Sequence, residues 1–170
     1  MKGSETDFRL RGPDDFVRLD GLCAQLLGDF FQWLQAPEGG GVEAQRASDL
    51  AHAADRYLRN FVVDIVETGP ADSDPSLPRR YLGNWYILNT LEPSHEEVDR
   101  ILVALRKLYA YLALRGVLPD AAAEAAAREA DDGAHFHRRL DDFWALTPEG
   151  IGPWRRVDDY RRGEEPSPAP

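Results

Sequence analysis

The chain is predicted to be all-α: a single-domain helical bundle of about five helices with a flexible acidic C-terminal tail. Three observations carry that prediction. Apolar residues recur at spacings of three and four through most of the 170 residues, which is the period of helices with one buried face. Breakers are gathered into a few segments, chiefly Ala36 to Gly41 and Thr68 to Pro78, with long uninterrupted stretches between them. The one short β-prone run, YILN at 86–89, finds no partner strand elsewhere, so helix is the better reading there too. The implied organisation is a flexible arm over 1–12, a helical bundle over 13–146 and an irregular, disordered tail over 147–170.

The strongest helix signal lies between Ser94 and Leu118. Ser94 and Glu97 form a capping box, in which each side chain satisfies a backbone N–H of the first turn. Val98, Ile101, Leu102, Leu105, Leu108, Tyr109 and Leu112 share one face, with Asp99, Arg100, Arg106 and Lys107 largely on the other. Gly116 provides the left-handed residue that closes such a helix, and Pro119 stops it. This helix is the predicted hub for the first, second and last helices.

The first helix begins after Pro13 and carries Phe16, Leu19, Leu22, Cys23, Leu26, Leu27, Phe30, Phe31 and Leu34, with Gly21 and Gly28 as two weak points tolerated inside it. From Val42 to Val66, Ala44, Ala47, Ala51, Ala54, Leu58, Phe61 and Ile65 form a stripe, small at its start and large at its end. Three prolines, a glycine and two aspartates make Thr68 to Pro78 the main linker. A third helix carries Tyr81, Leu82, Trp85, Leu88 and Leu91. The last begins at Asp120 with an alanine run of high propensity and little area to bury, is open to interruption at Asp131 to Gly133, and ends with Phe136, Leu140, Phe143 and Trp144. Trp154 is expected to dock on the bundle, and GEEPSPAP to hang free.

A hydrophobic fraction of 43% is that of a globular protein. Thirty acidic against twenty basic residues give a charge of −10, which repels phosphate backbones and makes nucleic acid an improbable partner. One cysteine, Cys23, allows no internal disulfide and no cysteine-based zinc site. The N-terminus lacks the apolar run of a signal peptide and no stretch has the length of a spanning helix, so the expectation is a cytoplasmic protein without membrane partners.

Two groups of residues are candidates for function. In DDGAHFHRRLDD, Asp131 and His135 are four apart, as are His137 and Asp141, and carboxylate with imidazole is a ligand set for zinc, iron or manganese. His135 and His137, two apart on a helix, point in roughly opposite directions and cannot easily share one ion, so ion pairs on a solvated face are the favoured reading. The second group is aromatic. Trp85, Tyr86, Tyr109 and Tyr111 are the candidate interaction residues, because Tyr109 and Tyr111 cannot both face one core and an exposed ring is a natural contact. The favoured role is a non-catalytic helical module that binds another protein or itself, with no cofactor. The alternative is a metal- or small-ligand-binding protein or enzyme that uses Asp131 to Asp142.

The stretch from Tyr81 to Leu118, an aromatic-rich helix, a break, and a helix ending in Leu-x-x-x-Tyr-x-Tyr-Leu before a glycine turn, resembles the helical core-binding domain of tyrosine recombinases and phage integrases. His135 to Arg138 also fits the His-x-x-Arg of that family, with Tyr160 downstream. What the resemblance implies is a similar local packing of helices. It does not extend to recombinase activity, since no room remains for the catalytic domain and the second catalytic arginine motif has no counterpart.

Overall fold

The computed structural model describes residues 6–161 apart from residue 73. Among the described residues the chain is helical throughout, with no strand and seven helices. α1 is Phe16–Gln35; α2 is Ala44–Asp55 and runs on as a π-helix over Arg56–Val63. α3 joins Leu77–Arg80, a π-helical Tyr81–Trp85 and Tyr86–Leu88. α4 is His95–Leu114, α5 Asp120–Glu129, α6 Gly133–Trp144 and α7 Ile151–Arg156. The count exceeds about five for two reasons. The predicted last helix breaks within the stretch open to interruption, Asp131 to Gly133, where Asp132 becomes the N-cap of α6 and accepts from the His135 N–H at 3.2 Å. The segment expected to be irregular also contributes α7.

α4 starts and stops where its sequence predicts, with one half of the capping box in place. Ser94 Oγ accepts from the Glu97 N–H at 3.2 Å, whereas the Glu97 carboxylate accepts from the Tyr86 hydroxyl at 2.8 Å; Gly116 takes a φ of 68° just beyond the helix end. Its neighbours are α2 on one side and α5 and α6 on others, so it is buried over a wide arc that leaves Asp99, Arg106, Ala110 and Leu114 as the outward stripe. α1 packs against both parts of α2. An added Cβ at Gly21 or Gly28 would meet nothing within 4 Å, so these glycines are weak points of helix propensity and not sites of close approach.

A π-helical turn explains one misplaced apolar position, and the end of a helix another. A π turn holds more residues than an α turn and so rotates the positions beyond it; α2 accordingly buries Tyr57, Leu58, Phe61, Val62 and Val63 and leaves Ile65 45% exposed. α3 ends at Leu88, and Leu91, expected on its buried stripe, is 94% exposed.

Both ends of the described chain depart from the flexible segments expected. Phe8 and Leu10 pack against the core, Arg18 donates to the Asp7 and Arg9 carbonyls at 2.6 and 3.0 Å, and the Ala71 N–H donates to the Phe8 carbonyl at 3.2 Å. Gly69 lies so close beneath this strap that a Cβ would fall 2.1 Å from the Phe8 carbonyl oxygen. The polar residues of 6–12 are thus tied by their backbone carbonyls, which composition does not report. At the other end residues 148–161 are docked, with Trp154 5% exposed as expected. The predicted free end, GEEPSPAP, lies outside the described residues, as does the start of the arm.

Candidate functional site

The docked C-terminal segment is held by a polar clamp centred on Arg139 of α6. Arg139 is only 5% exposed, because its guanidinium lies 3.8 Å from the centre of the Trp154 ring and finds carbonyls on two elements. Nε donates to Gly83 of α3 at 2.9 Å; Nη2 donates to Trp154 at 2.9 Å and to Val157 at 3.1 Å. The Trp154 indole N–H returns a bond to the Arg139 carbonyl at 3.1 Å, and Asn84 donates to the carbonyls of Arg155 and Val157. Asp158 closes the arrangement with a left-handed φ of 55°: its Oδ2 lies 3.9 Å from Arg139 Nε and accepts from His135 Nε2 at 2.5 Å. Burial pulls the guanidinium below the usual arginine range, and the carboxylate of Asp158 works against that shift.

The clamp uses one of the four candidate metal residues, His135 in its bond to Asp158, and the other three find partners elsewhere. Asp131 precedes α6 and pairs with Arg106 of α4 at 3.1 Å. His137 and Asp141 do not bond to each other across one helical turn; both turn to the start of α4. His137 Nε2 donates to Asp99 at 2.7 Å, His95 Nε2 donates to Asp141 at 2.7 Å, and the Nδ1 atoms of His95 and His137 are in hydrogen-bond contact. Among the described residues no three His, Cys, Asp or Glu side chains are grouped as metal ligands. The i,i+4 pairs favoured for this stretch, Asp131 with His135 and His137 with Asp141, are replaced: contacts to α4 and to the docked segment outcompete them. His95 gives no signal in the sequence because it looks like an ordinary first-turn residue. Asp132, beside the cluster, is held below the usual carboxylate range chiefly by its bond from Arg79.

The four aromatic candidates are all interior, none more than 8% exposed. Tyr109 and Tyr111 do face different ways, but α4 has neighbours on both sides. Tyr109 shares a 2.5 Å hydrogen bond with Tyr57 of α2, whereas Tyr111 packs on Phe30 and Trp33 of α1 at 5.5 and 5.2 Å and accepts from Arg115 at 2.6 Å. Trp85 stacks on Tyr81 at 5.6 Å, and the Tyr86 hydroxyl donates to Glu97 at 2.8 Å. Arg56 covers the rings of Trp85 and Tyr86, each centred 5.5 Å from its guanidinium carbon. The exposed aromatic is instead Trp144, 59% exposed at the C-terminal end of α6 with half-buried Phe143 at 5.5 Å and Leu146 nearby in sequence. Periodicity assigns Trp144 to the core; it falls on the last residue of its helix, where the supporting layer has run out.

Hollows in the surface include two that lie between helices. One of about 390 Å³ lies between α1 and α2, with Ala24, Leu27, Gly28, Phe31 and Ala51 in its lining and Arg59 at its edge. The other, about 270 Å³, runs between the outward stripe of α4 and α5 over Ala110, Ala113, Ala123 and Ala127. Cys23 reaches neither as a nucleophile: burial pushes its thiol up to about 12, and it is fully enclosed. No helix among the described residues is long and apolar enough to cross a membrane. In comparisons with known proteins, no family model, no curated protein and no solved structure matches this chain.

Proposed function

We propose that this chain is a non-catalytic helical interaction module that binds another protein. The observation that carries the reading is Trp144. It is the largest side chain left exposed, its ring lies against that of Phe143, and no other aromatic among the described residues is exposed. Tryptophan concentrates binding energy at protein interfaces because one rigid ring removes a large area from water at a small cost in side-chain freedom. The net charge of −10 makes two copies repel at long range, so the favoured partner is a different protein with a basic rim around an apolar pocket.

The test is capture with a photoreactive group at position 144, paired with affinity measurements on the captured protein. Trp144→Glu should weaken that binding by about thirtyfold, the equivalent of about 2 kcal/mol. Val17→Glu, a change at an exposed apolar residue on α1, should leave it unchanged. Equal affinity for wild type and Trp144→Glu contradicts the reading. A dimer in sedimentation equilibrium that Trp144→Glu abolishes would assign the patch to self-association and overturn the choice of partner.

A further inference from the structure

We propose that His95 and His137 together form a binding seat for a transition-metal dication of the zinc type, held between their two Nδ1 atoms. The inference is independent of the interaction reading and begins with proton positions. A carboxylate oxygen only accepts, so the bonds from His137 Nε2 to Asp99 and from His95 Nε2 to Asp141, each 2.7 Å, put a proton on both Nε2 atoms. In a neutral imidazole that leaves Nδ1 as a bare lone pair. The two rings are 22° apart in plane with centroids at 4.6 Å, and their Nδ1 atoms meet in hydrogen-bond contact. Two lone pairs facing each other repel, and a cation between them turns the repulsion into attraction.

A proton or a metal ion can meet that need. The surroundings suit a metal: each imidazole is oriented by a carboxylate on the opposite helix, Asp99 of α4 for His137 and Asp141 of α6 for His95. This is the arrangement by which outer carboxylates fix the tautomer and raise the basicity of metal-bound histidines. The outer pairs also hold the rings across α4 and α6, so the seat is set by the fold and not by one flexible side chain. The two nitrogens are the protein's donors, and water supplies the rest of a tetrahedral shell, since the His95 side chain is 49% exposed. Zinc–nitrogen bonds of about 2.0–2.1 Å require the two Nδ1 atoms to move apart to admit the ion. Imidazole donors select zinc, copper or nickel over magnesium.

The experiment is titration of the full chain with Zn²⁺, followed by calorimetry and by ¹⁵N spectra of the imidazoles, with Mg²⁺ as control. The expected result is one equivalent of Zn²⁺, a change at the Nδ1 resonances of His95 and His137, and Nε2 protons retained. His95→Ala and His137→Ala should each lower affinity by about tenfold or more, and Asp99→Asn by up to about tenfold. His52→Ala and His135→Ala should leave it unchanged, and circular dichroism checks that each variant is folded. The proposal is overturned if wild type binds no Zn²⁺, if His95→Ala and His137→Ala bind it as wild type does, or if the Nδ1 signals respond to protons alone.

Discussion

Two buried regions of this molecule are cemented in opposite ways. Between α2, α3 and α4, rings pack on rings: Tyr57 meets Tyr81 at 5.1 Å, Phe61 meets Tyr81 at 5.2 Å and Trp85 at 5.5 Å. Its polar bonds are few: the hydroxyls of Tyr57 and Tyr109 bond each other, that of Tyr86 donates to Glu97, and that of Tyr81 is buried without a partner among the described residues. Around Arg139, by contrast, a guanidinium lies on the Trp154 ring, it and the Asn84 carboxamide donate to backbone carbonyls of α3 and the C-terminal segment, and the His135 imidazole donates to the Asp158 carboxylate. The first kind of contact is non-directional and tolerant, roughly proportional to area removed from water. The second is directional, so that loss of one partner strands the others. The aromatic seam should therefore govern global stability, and the clamp the attachment of one segment.

The largest expected effect is on the seam. Phe61→Ala removes a ring that touches four aromatic neighbours, Tyr57, Tyr81, Trp85 and Tyr160, and should cost about 3–5 kcal/mol in denaturant unfolding, lowering the transition of the whole chain. Arg139→Ala comes next. It leaves three carbonyls and Asp158 without their cation and should cost about 3 kcal/mol, taken from docking of 148–161, so that protease cuts near Trp154 while the bundle stays folded. Gly83→Ala tests the same junction from α3: its Cβ would lie 2.3 Å from Asp158 Oδ2, and displacing that carboxylate should cost about 1–3 kcal/mol with the same local signature. The smallest effect belongs to Tyr81→Phe, which deletes an unpartnered buried hydroxyl. Unfolding should show stability unchanged or raised, within about 1 kcal/mol. A large loss there would mean that the seam depends on polar bonding after all.

The contrast also sets what was legible in the amino-acid sequence. The apolar positions of Phe61, Tyr81 and Trp85, the cap at Ser94 and the turn at Gly116 come from periodicity and backbone chemistry, which act within a few residues. Burial of Tyr111 was not legible, because a helix with neighbours on two sides looks like one with a single core until its neighbours are placed. The clamp was hidden for a related reason. Arg139 is written as a solvated residue in HRRLDD, and its interior position depends on carbonyls 15 to 56 residues away. The candidate ligands shared that fate: types and spacing on α6 were visible, but His95 lies 42 residues from His137, and only the packing of α4 on α6 joins them. Trp144 shows the converse error, an apolar residue in the right period with no layer left above it.

The division of labour between seam and clamp is tested most directly by native-state hydrogen exchange at residues 151–157, compared between wild type and Arg139→Ala. These amides should lose protection by about a hundredfold, the equivalent of about 3 kcal/mol, while the amides of α2 and α4 keep theirs. Uniform loss across α2, α4 and 151–157 would contradict that division, as would unchanged protection of 151–157.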